Sequence, residues 1–321
     1  MSEISEAAAV LRVGGLVAFP TETVYGRGAD ANNARAVERV YSVKGRPADH
    51  PIIVHIASAA ALDQYATDVS DAARRLANAC WPGPLTLVVP RREGTIVAQV
   101  TGGRPTVALR VPAHPVALAL LEEFGGGVAA PSANRFGRVS PTTAVHVRAD
   151  LGPDVDLVLD GGPATVGVES TIVDCSQDRP AILRLGGVDA AAIERILGVR
   201  LARLTRGEVA APGTLERHYS PAARVIVLEP HEVAGRATSL LAQGERVGLL
   251  AITPPEDLPP GLLILPVPSG AEEYARVLYA RLREADDRAL DTLLAVAPPP
   301  DGIGAAVTDR LARAAASGRI R

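Results

Sequence analysis

Short apolar runs alternate with amphipathic stretches along most of this chain, and that alternation restricts the fold more than any single motif does. The first run, Leu16-Val17-Ala18-Phe19, is ended by Pro20 and followed by a polar loop, Thr21-Glu22-Thr23-Val24-Tyr25-Gly26. Residues 34–43 place Val37, Val40 and Tyr41 on one helical face. Strand-like runs recur at 52–56, 85–89, 106–111, 155–159, 170–174 and 181–185, and another ends at Pro131. Helical stretches fill 58–80, 115–124 and 189–197. This pattern predicts an α/β protein with a twisted sheet covered by helices. Several strand-like runs follow each other closely, so the predicted sheet is mixed rather than purely parallel.

Near residue 205 the periodicity stops, and 206–221 is rich in turn formers. A strict β-α-β alternation follows: strands at 224–228, 247–251, 262–266 and 292–296, helices at 232–242, 271–285 and 305–316. That predicts a smaller, doubly wound, Rossmann-like C-terminal domain. The expected organisation is a catalytic domain over 1–205, a linker over 206–222 that could act as a lid, and a second domain over 223–321. A length of 321 residues agrees with two domains.

Composition excludes several classes. The formal charge of −3 gives no global basic field for holding nucleic acid stably. Cys80 and Cys175 are the only cysteines, which argues against a disulfide framework and a structural zinc site. The acidic N-terminus lacks an apolar signal core. No apolar run approaches the roughly 20 residues needed to cross a bilayer. The expectation is a cytoplasmic protein without a membrane partner. Gly-x4-Gly-Lys-Ser/Thr and Gly-x-Gly-x-x-Gly nucleotide loops are absent, as are a Gly-x-Ser-x-Gly elbow and HExxH metal spacing.

Polar loops instead stand at the ends of apolar strands: Thr21-Glu22-Thr23, Lys44-Gly45-Arg46, Arg110, Ser132-Ala133-Asn134, Glu169-Ser170-Thr171 and Arg184. Open α/β sheets bind ligands where such loops converge. Lys44, Arg46, Arg110 and Arg184 together would form an anion site, with Ser, Thr and Asn side chains supplying directed hydrogen bonds. Lys44 is the only lysine in the chain; every other basic side chain apart from histidine is arginine. An ammonium is a compact point charge and a guanidinium a planar fork, so the two are not interchangeable.

In this order the segments resemble the YrdC-like family of threonylcarbamoyl-AMP synthases in its long, two-domain form. The matching text is residues 19–26, Lys44-Gly45-Arg46-Pro47 with His50-Pro51-Ile52, Trp81-Pro82-Gly83-Pro84-Leu85-Thr86, Pro131-Ser132-Ala133-Asn134 and Glu169-Ser170-Thr171-Ile172-Val173-Asp174. Residues 212–221 resemble the family's interdomain segment, and Asp309-Arg310-Leu311 its C-terminal helix. The resemblance implies synthesis of L-threonylcarbamoyl-AMP and pyrophosphate from L-threonine, bicarbonate and ATP, for threonylcarbamoylation of tRNA. It implies Mg2+ carried by ATP, no protein-held metal, and a downstream tRNA threonylcarbamoyl transferase complex as a partner. It assigns catalytic roles to Lys44 and Arg46. ATP falls to Lys44, Ala48, Thr106, Ser132, Asn134, Ser140, Arg184 and Tyr219. Threonine falls to Thr21, His55, Arg110, Ala130 and Ser170.

The chain departs from the family pattern at Arg27, where an apolar residue is usual, and at Leu185, where proline usually follows the arginine. Arg27 either adds a cation near the site or points outward, and Leu185 loosens the turn after Arg184. Competing readings are an RNA-binding module that uses the same basic concavity without ATP turnover, a carbamoyl-transfer enzyme of hydrogenase maturation, which its Cys-rich zinc elements disfavour here, and a short-form relative without synthase activity.

Overall fold

In a computed structural model the structure describes residues 2–45, 50–203 and 219–316. Arg46, Ala48 and linker residues 206–218 lie outside the described residues. The described residues divide into two compact units. Unit 1 takes residues up to 136, then 140–165 and 169–203; unit 2 takes 137–139, 166–168 and 219–316.

Unit 1 is built on a ten-stranded sheet. Its strands are β1 (Val17–Phe19), β2 (Gly26–Asp30), β3 (Ile53–His55), β4 (Leu85–Pro90), β5 (Thr106–Arg110), β6 (Val128–Ala129), β7 (Leu157–Val158), β8 (Thr171–Asp174), β9 (Ala181–Arg184) and β10 (Ala202–Arg203). Their spatial order is β10-β9-β8-β4-β5-β3-β6-β2-β1-β7. The sheet is mixed: β3/β5 and β4/β8 pair parallel, while β4/β5, β3/β6 and β1/β2 pair antiparallel. The helices are α1 (Glu3–Arg12), α2 (Ala34–Lys44), α3 (Leu62–Tyr65), α4 (Asp71–Cys80), α5 (Ala98–Thr101), α6 (Pro115–Phe124), α7 (Ala144–Leu151) and α8 (Ala190–Leu197). The polar loop read at 21–26 runs directly into β2, a Gly-rich strand that the apolar pattern does not signal. Helix α7 was likewise without a signal, because its sequence AVHVRADL has little amphipathic contrast.

Local chemistry fixes the helix ends. Asn33 caps α2 by accepting from the Ala36 N–H at 3.2 Å. Gly45 closes it in the left-handed region, φ +68°. Ala36, Val37, Val40 and Tyr41 bury the helix against the sheet.

Side-chain alternation sorts the sheet into two faces. Val54, Leu85, Leu87, Val89, Val107, Leu109 and Val173 join the main core with α2, α4, α5 and α8. On the other face, α1 and α6 cover Val17, Phe19, Val128 and Ala130. Further along that face Ile53, Val88, Ala108 and Ile172 form a small cluster made of strand residues alone. His55, Thr86, Thr106 and Arg110 have the same strand parity as this cluster.

Unit 2 carries a four-stranded, all-parallel sheet. Its strands β11 (Arg224–Val227), β12 (Val247–Leu250), β13 (Leu263–Ile264) and β14 (Thr292–Ala295) lie in the order β11-β14-β12-β13. The path runs one way from β11 to β13 through α9 (Val233–Ala242), then returns to β14 through α10 (Ala271–Asp287). With right-handed crossovers, this reversal puts the two helices on opposite faces, as in a doubly wound domain. Helix α11 (Gly304–Ala315) packs on α10 and β11.

The two short excursions of the N-terminal chain are held inside unit 2. The Ser220 N–H donates to the Gly137 carbonyl at 2.9 Å, and Arg283 donates to the Val139 carbonyl. Gly167, φ +81°, leaves only 2.4 Å between a virtual Cβ and the Ala275 carbonyl oxygen. Such long-range membership has no signature in the local sequence pattern.

Gly167→Ala is expected to destabilise the protein by about 1–3 kcal/mol through this backbone clash. Gly162→Ala, at the same φ of +81° but with nothing within 4 Å, should show only the left-handed backbone penalty of about 1 kcal/mol. Urea unfolding of the two variants checks the difference.

Candidate active site

The first cluster centres on Lys44, in the last turn of α2. Its Nζ donates to the Ser132 carbonyl at 2.7 Å, Ser132 Oγ at 3.0 Å, Asn134 Oδ1 at 3.1 Å and the Asn134 carbonyl at 3.3 Å. The side chain is 2% exposed. The Phe136 N–H returns a bond to the Lys44 carbonyl at 2.7 Å, and Asn134 Nδ2 donates to the Arg135 carbonyl at 2.9 Å. Ser132 bridges Gly26 of β2. The Lys-x-Arg and Ser-x-Asn segments, distant in sequence, are therefore joined through one ammonium.

A second set lies on the sheet face opposite the main core. His55 on β3 stands opposite Arg110 on β5 in a parallel pair. Thr86 on β4 takes the next place, one step beyond the Leu87↔Leu109 pair. Its Oγ1 lies 2.8 Å from Ser170 Oγ. These side chains make a polar row across the strands, next to the apolar Ile53, Ala108 and Val88. Arg110 pairs with the carboxylate of Glu22 at 2.6 Å, with side-chain exposures of 5% and 8%. The other Glu22 oxygen accepts from the Ala113 N–H at 3.0 Å, and Arg110 Nε donates to the Gly83 carbonyl at 3.3 Å. Arg110 is thus aimed by its neighbours.

His55 packs edge-on against Phe19. Burial, and then the Arg110 charge, push its pKa down to about 3. Its Nδ1 has no hydrogen-bond partner among the described residues. At neutral pH this is a neutral imidazole with an unused ring nitrogen.

Around Ser170, Arg184 Nη2 donates to Ser170 Oγ at 3.0 Å and to its carbonyl at 2.8 Å, and Nε donates to the same carbonyl at 3.1 Å. Ser140 Oγ donates to Glu169 Oε1 at 2.8 Å. The turn after Arg184 closes tightly without proline: a Cβ on Gly186 would lie 2.2 Å from the Glu169 carbonyl oxygen. With Leu185 in the turn, Arg184 keeps its bonds to Ser170. Thr21 Oγ1 donates to the Val24 carbonyl at 2.6 Å and organises its own turn. Ala130 sits beside the row, its N–H donating to the Ile53 carbonyl at 2.9 Å.

Not every expected residue joins these clusters. Thr106 shares the parity of Arg110 but opens the strand that Arg110 ends, about 13 Å away at strand rise. Tyr219 belongs to unit 2. There it is fully buried, stacked on Tyr279 at 5.4 Å with Arg310 over its ring at 5.2 Å. Arg27 does not point outward; its side chain is wholly buried. Glu22, Thr86 and Glu169 stand within the matching motifs, and their sequence positions alone assign them no role. Strand parity could have marked Thr86, whereas the Glu22–Arg110 pair joins residues too far apart for sequence to reveal. The strand-end crevice expected from open α/β sheets is in part a sheet face.

Similarity to known proteins covers nearly the whole chain. A family model described as Telomere recombination matches residues 9–186, and one described as Threonylcarbamoyl-AMP synthase, C-terminal domain, matches residues 188–316. The threonylcarbamoyl-AMP synthase of Pyrococcus abyssi is 41% identical, over 97% of this chain and 94% of its own length. That of Bacillus subtilis is 39% identical over 99% of this chain and 94% of its own. The crystal structure of the Pyrococcus abyssi Sua5 protein complexed with L-threonine superposes with a TM-score of 0.90 at 40% identity, covering 99% of this chain and 96% of that one. These likenesses displace the RNA-binding, hydrogenase-maturation and short-form readings. The chain belongs to the threonylcarbamoyl-AMP synthases, a family of nucleotidyltransferases, in the form that carries a second, C-terminal domain.

Proposed function

We propose that unit 1 joins L-threonine, bicarbonate and ATP into L-threonylcarbamoyl-AMP, with threonine on the polar row of the sheet face and the triphosphate beside Lys44 and Ser132. The observation that carries this reading is the pairing of a pre-aimed, buried arginine with a caged ammonium in one unit, both set among hydroxyl and amide groups. Such a site suits a reaction that needs no protein nucleophile. The amine of threonine forms an N–C bond with bicarbonate or CO2 to give a carbamate, losing water or a proton. A carbamate oxygen then attacks the α-phosphorus, and its P–O bond to pyrophosphate breaks. Positioning and stabilisation of phosphate charge are what the protein must supply.

Each residue then has a task. The guanidinium of Arg110, held by Glu22, takes the threonine carboxylate. His55 stays neutral and presents Nδ1 as an acceptor. Ser170, oriented by Thr86 and Arg184, offers a hydroxyl to the amino acid. Lys44, with Arg46 as its sequence neighbour, meets the charge that grows on the departing pyrophosphate. Ser132, Asn134, Ser140, Arg184, Thr106 and Ala48 serve the nucleotide, while Thr21 and Ala130 bound the threonine side. Among the described residues no group of three or more His, Cys, Asp or Glu side chains gathers to hold a metal. A site of cations and hydroxyls fits Mg2+ that arrives on ATP, with phosphate and water as its ligands. Bound in that way it neutralises phosphate charge. Among the described residues no helix is long and apolar enough to cross a membrane, which is compatible with a cytoplasmic enzyme whose product passes to a tRNA-modifying transferase.

Pyrophosphate release is expected to require threonine and bicarbonate together with ATP and Mg2+. Release that persists undiminished without threonine would overturn the proposal. Arg110→Ala should raise the threonine KM by about 10–100-fold, the loss of a charged hydrogen bond, with little change in the KM for ATP. Lys44→Arg should lose most of kcat, because a planar fork does not fit among oxygens arranged for an ammonium; steady-state kinetics reads both. A pH effect follows from His55. Its folded pKa lies below the unfolded value near 6.5, so the unfolded state takes the proton first. Stability is therefore fully present above about pH 6.5 and is lost progressively toward pH 3. Urea unfolding at pH 7.5 and 5.5 should show a smaller drop for His55→Gln than for the wild type.

A further inference from the structure

Arg27 has no task in the chemistry above, yet it is a wholly buried cation. Its Nη2 donates to the Val40 carbonyl at 2.6 Å. Nε and Nη1 are equally buried and meet no hydrogen-bond partner among the described residues. The carboxylate that acts on it most strongly is Asp154, which is already paired with Arg135 at 2.6 Å and is 39% exposed. Arg135 itself opposes the Arg27 charge. Burial lowers the Arg27 pKa to about 9, so the guanidinium remains charged at pH 7. A buried ion without a counter-ion is strongly unfavourable, and among the described residues no carboxylate pairs directly with this one.

The position of this charge gives it a use. The Arg27 N–H donates to the Pro131 carbonyl at 2.8 Å, immediately before Ser132. Val40, whose carbonyl accepts from the side chain, precedes Lys44 by four residues, about 6 Å along the helix. Arg135, one of its electrostatic neighbours, follows Asn134 directly. The Arg27 backbone is therefore tied to the segment that carries Ser132, while its guanidinium lies against the helix that carries Lys44 and feels the charge of Arg135, next to Asn134.

We propose that Arg27 is a second, buried cation of the anion site, whose charge is balanced by the polyphosphate bound at Lys44 and Ser132. The inference rests on the assignment of the nucleotide to that cluster. Arg27 acts by its field and does not touch the ligand. Its effect should grow with ligand charge, by about threefold or more for each added negative charge at such separations in a partly dry site. A purely structural arginine would affect all nucleotides alike.

Isothermal titration of the full chain with AMP and with Mg-free ATP tests this. Arg27→Met should weaken ATP binding by about tenfold or more and AMP binding distinctly less, while Arg27→Lys retains most of the ATP affinity. Arg27→Gln, which can keep the Val40 bond without the charge, should behave like Arg27→Met. It serves as the neutral variant if Arg27→Met does not fold, as judged from the unfolding midpoint. Equal losses for AMP and ATP, or unchanged ATP affinity in the folded neutral variant, would overturn the proposal. Failure of the wild type to bind ATP would instead overturn the nucleotide assignment at Lys44, and this inference with it.

Discussion

An ammonium ion among four oxygens ties together two distant segments of unit 1. Lys44 projects from the end of a helix, and Ser132 and Asn134 come from the loop after β6. The Phe136 N–H bond to the Lys44 carbonyl joins the same two segments. A charged donor stripped of water must recover its hydration from the protein, and oxygens of backbone, hydroxyl and amide do so here. The same cage holds Asn134 and Ser132 in fixed orientations. A chain that otherwise uses arginine wherever it needs a lysine-like charge has kept an ammonium at the place where a compact, three-donor cation fits.

The second constraint is the row on the sheet face. Strand pairing brings His55, Arg110 and Thr86 side by side, and their polar groups would be unfavourable there unless satisfied. Glu22 satisfies Arg110, while Ser170 satisfies Thr86. Breaking a buried ion pair by removing one partner typically costs about 3–5 kcal/mol. Because desolvation offsets much of the attraction within an intact buried pair, Glu22–Arg110 contributes more to the aim of the guanidinium than to net stability. His55, made neutral by burial and by the adjacent positive charge, has no hydrogen-bond partner at Nδ1 among the described residues. Rigid elements thus fix these polar groups relative to one another, the kind of preorganisation that electrostatic catalysis requires.

Much of this was legible in the sequence. The helix at Ala34–Lys44 and the strands around 85–90 and 106–110 follow from apolar periodicity. The parallel second sheet follows from strict alternation. Strand β2 was hidden because its glycines admit the Phe19 ring: a Cβ on Gly28 would lie 2.8 Å from it. Close packing had replaced the apolar signal. The membership of residues 137–139 and 166–168 in unit 2 was unreadable for another reason, since it depends on contacts with helices more than a hundred residues away. Arg27 shows the limit most clearly. Sequence offered an outward side chain or a cation near the site, and only packing shows that the residue is buried beside the Lys44 cluster.

The single lysine makes the central claim directly measurable. Protein labelled with 15N and 13C in lysine alone gives one side-chain resonance set, that of Lys44. If the ammonium is the phosphate-binding charge of the site, its Nζ and Cε signals should shift on titration with ATP or with pyrophosphate and saturate with the binding curve. Signals that stay in place at saturating ATP would contradict the account.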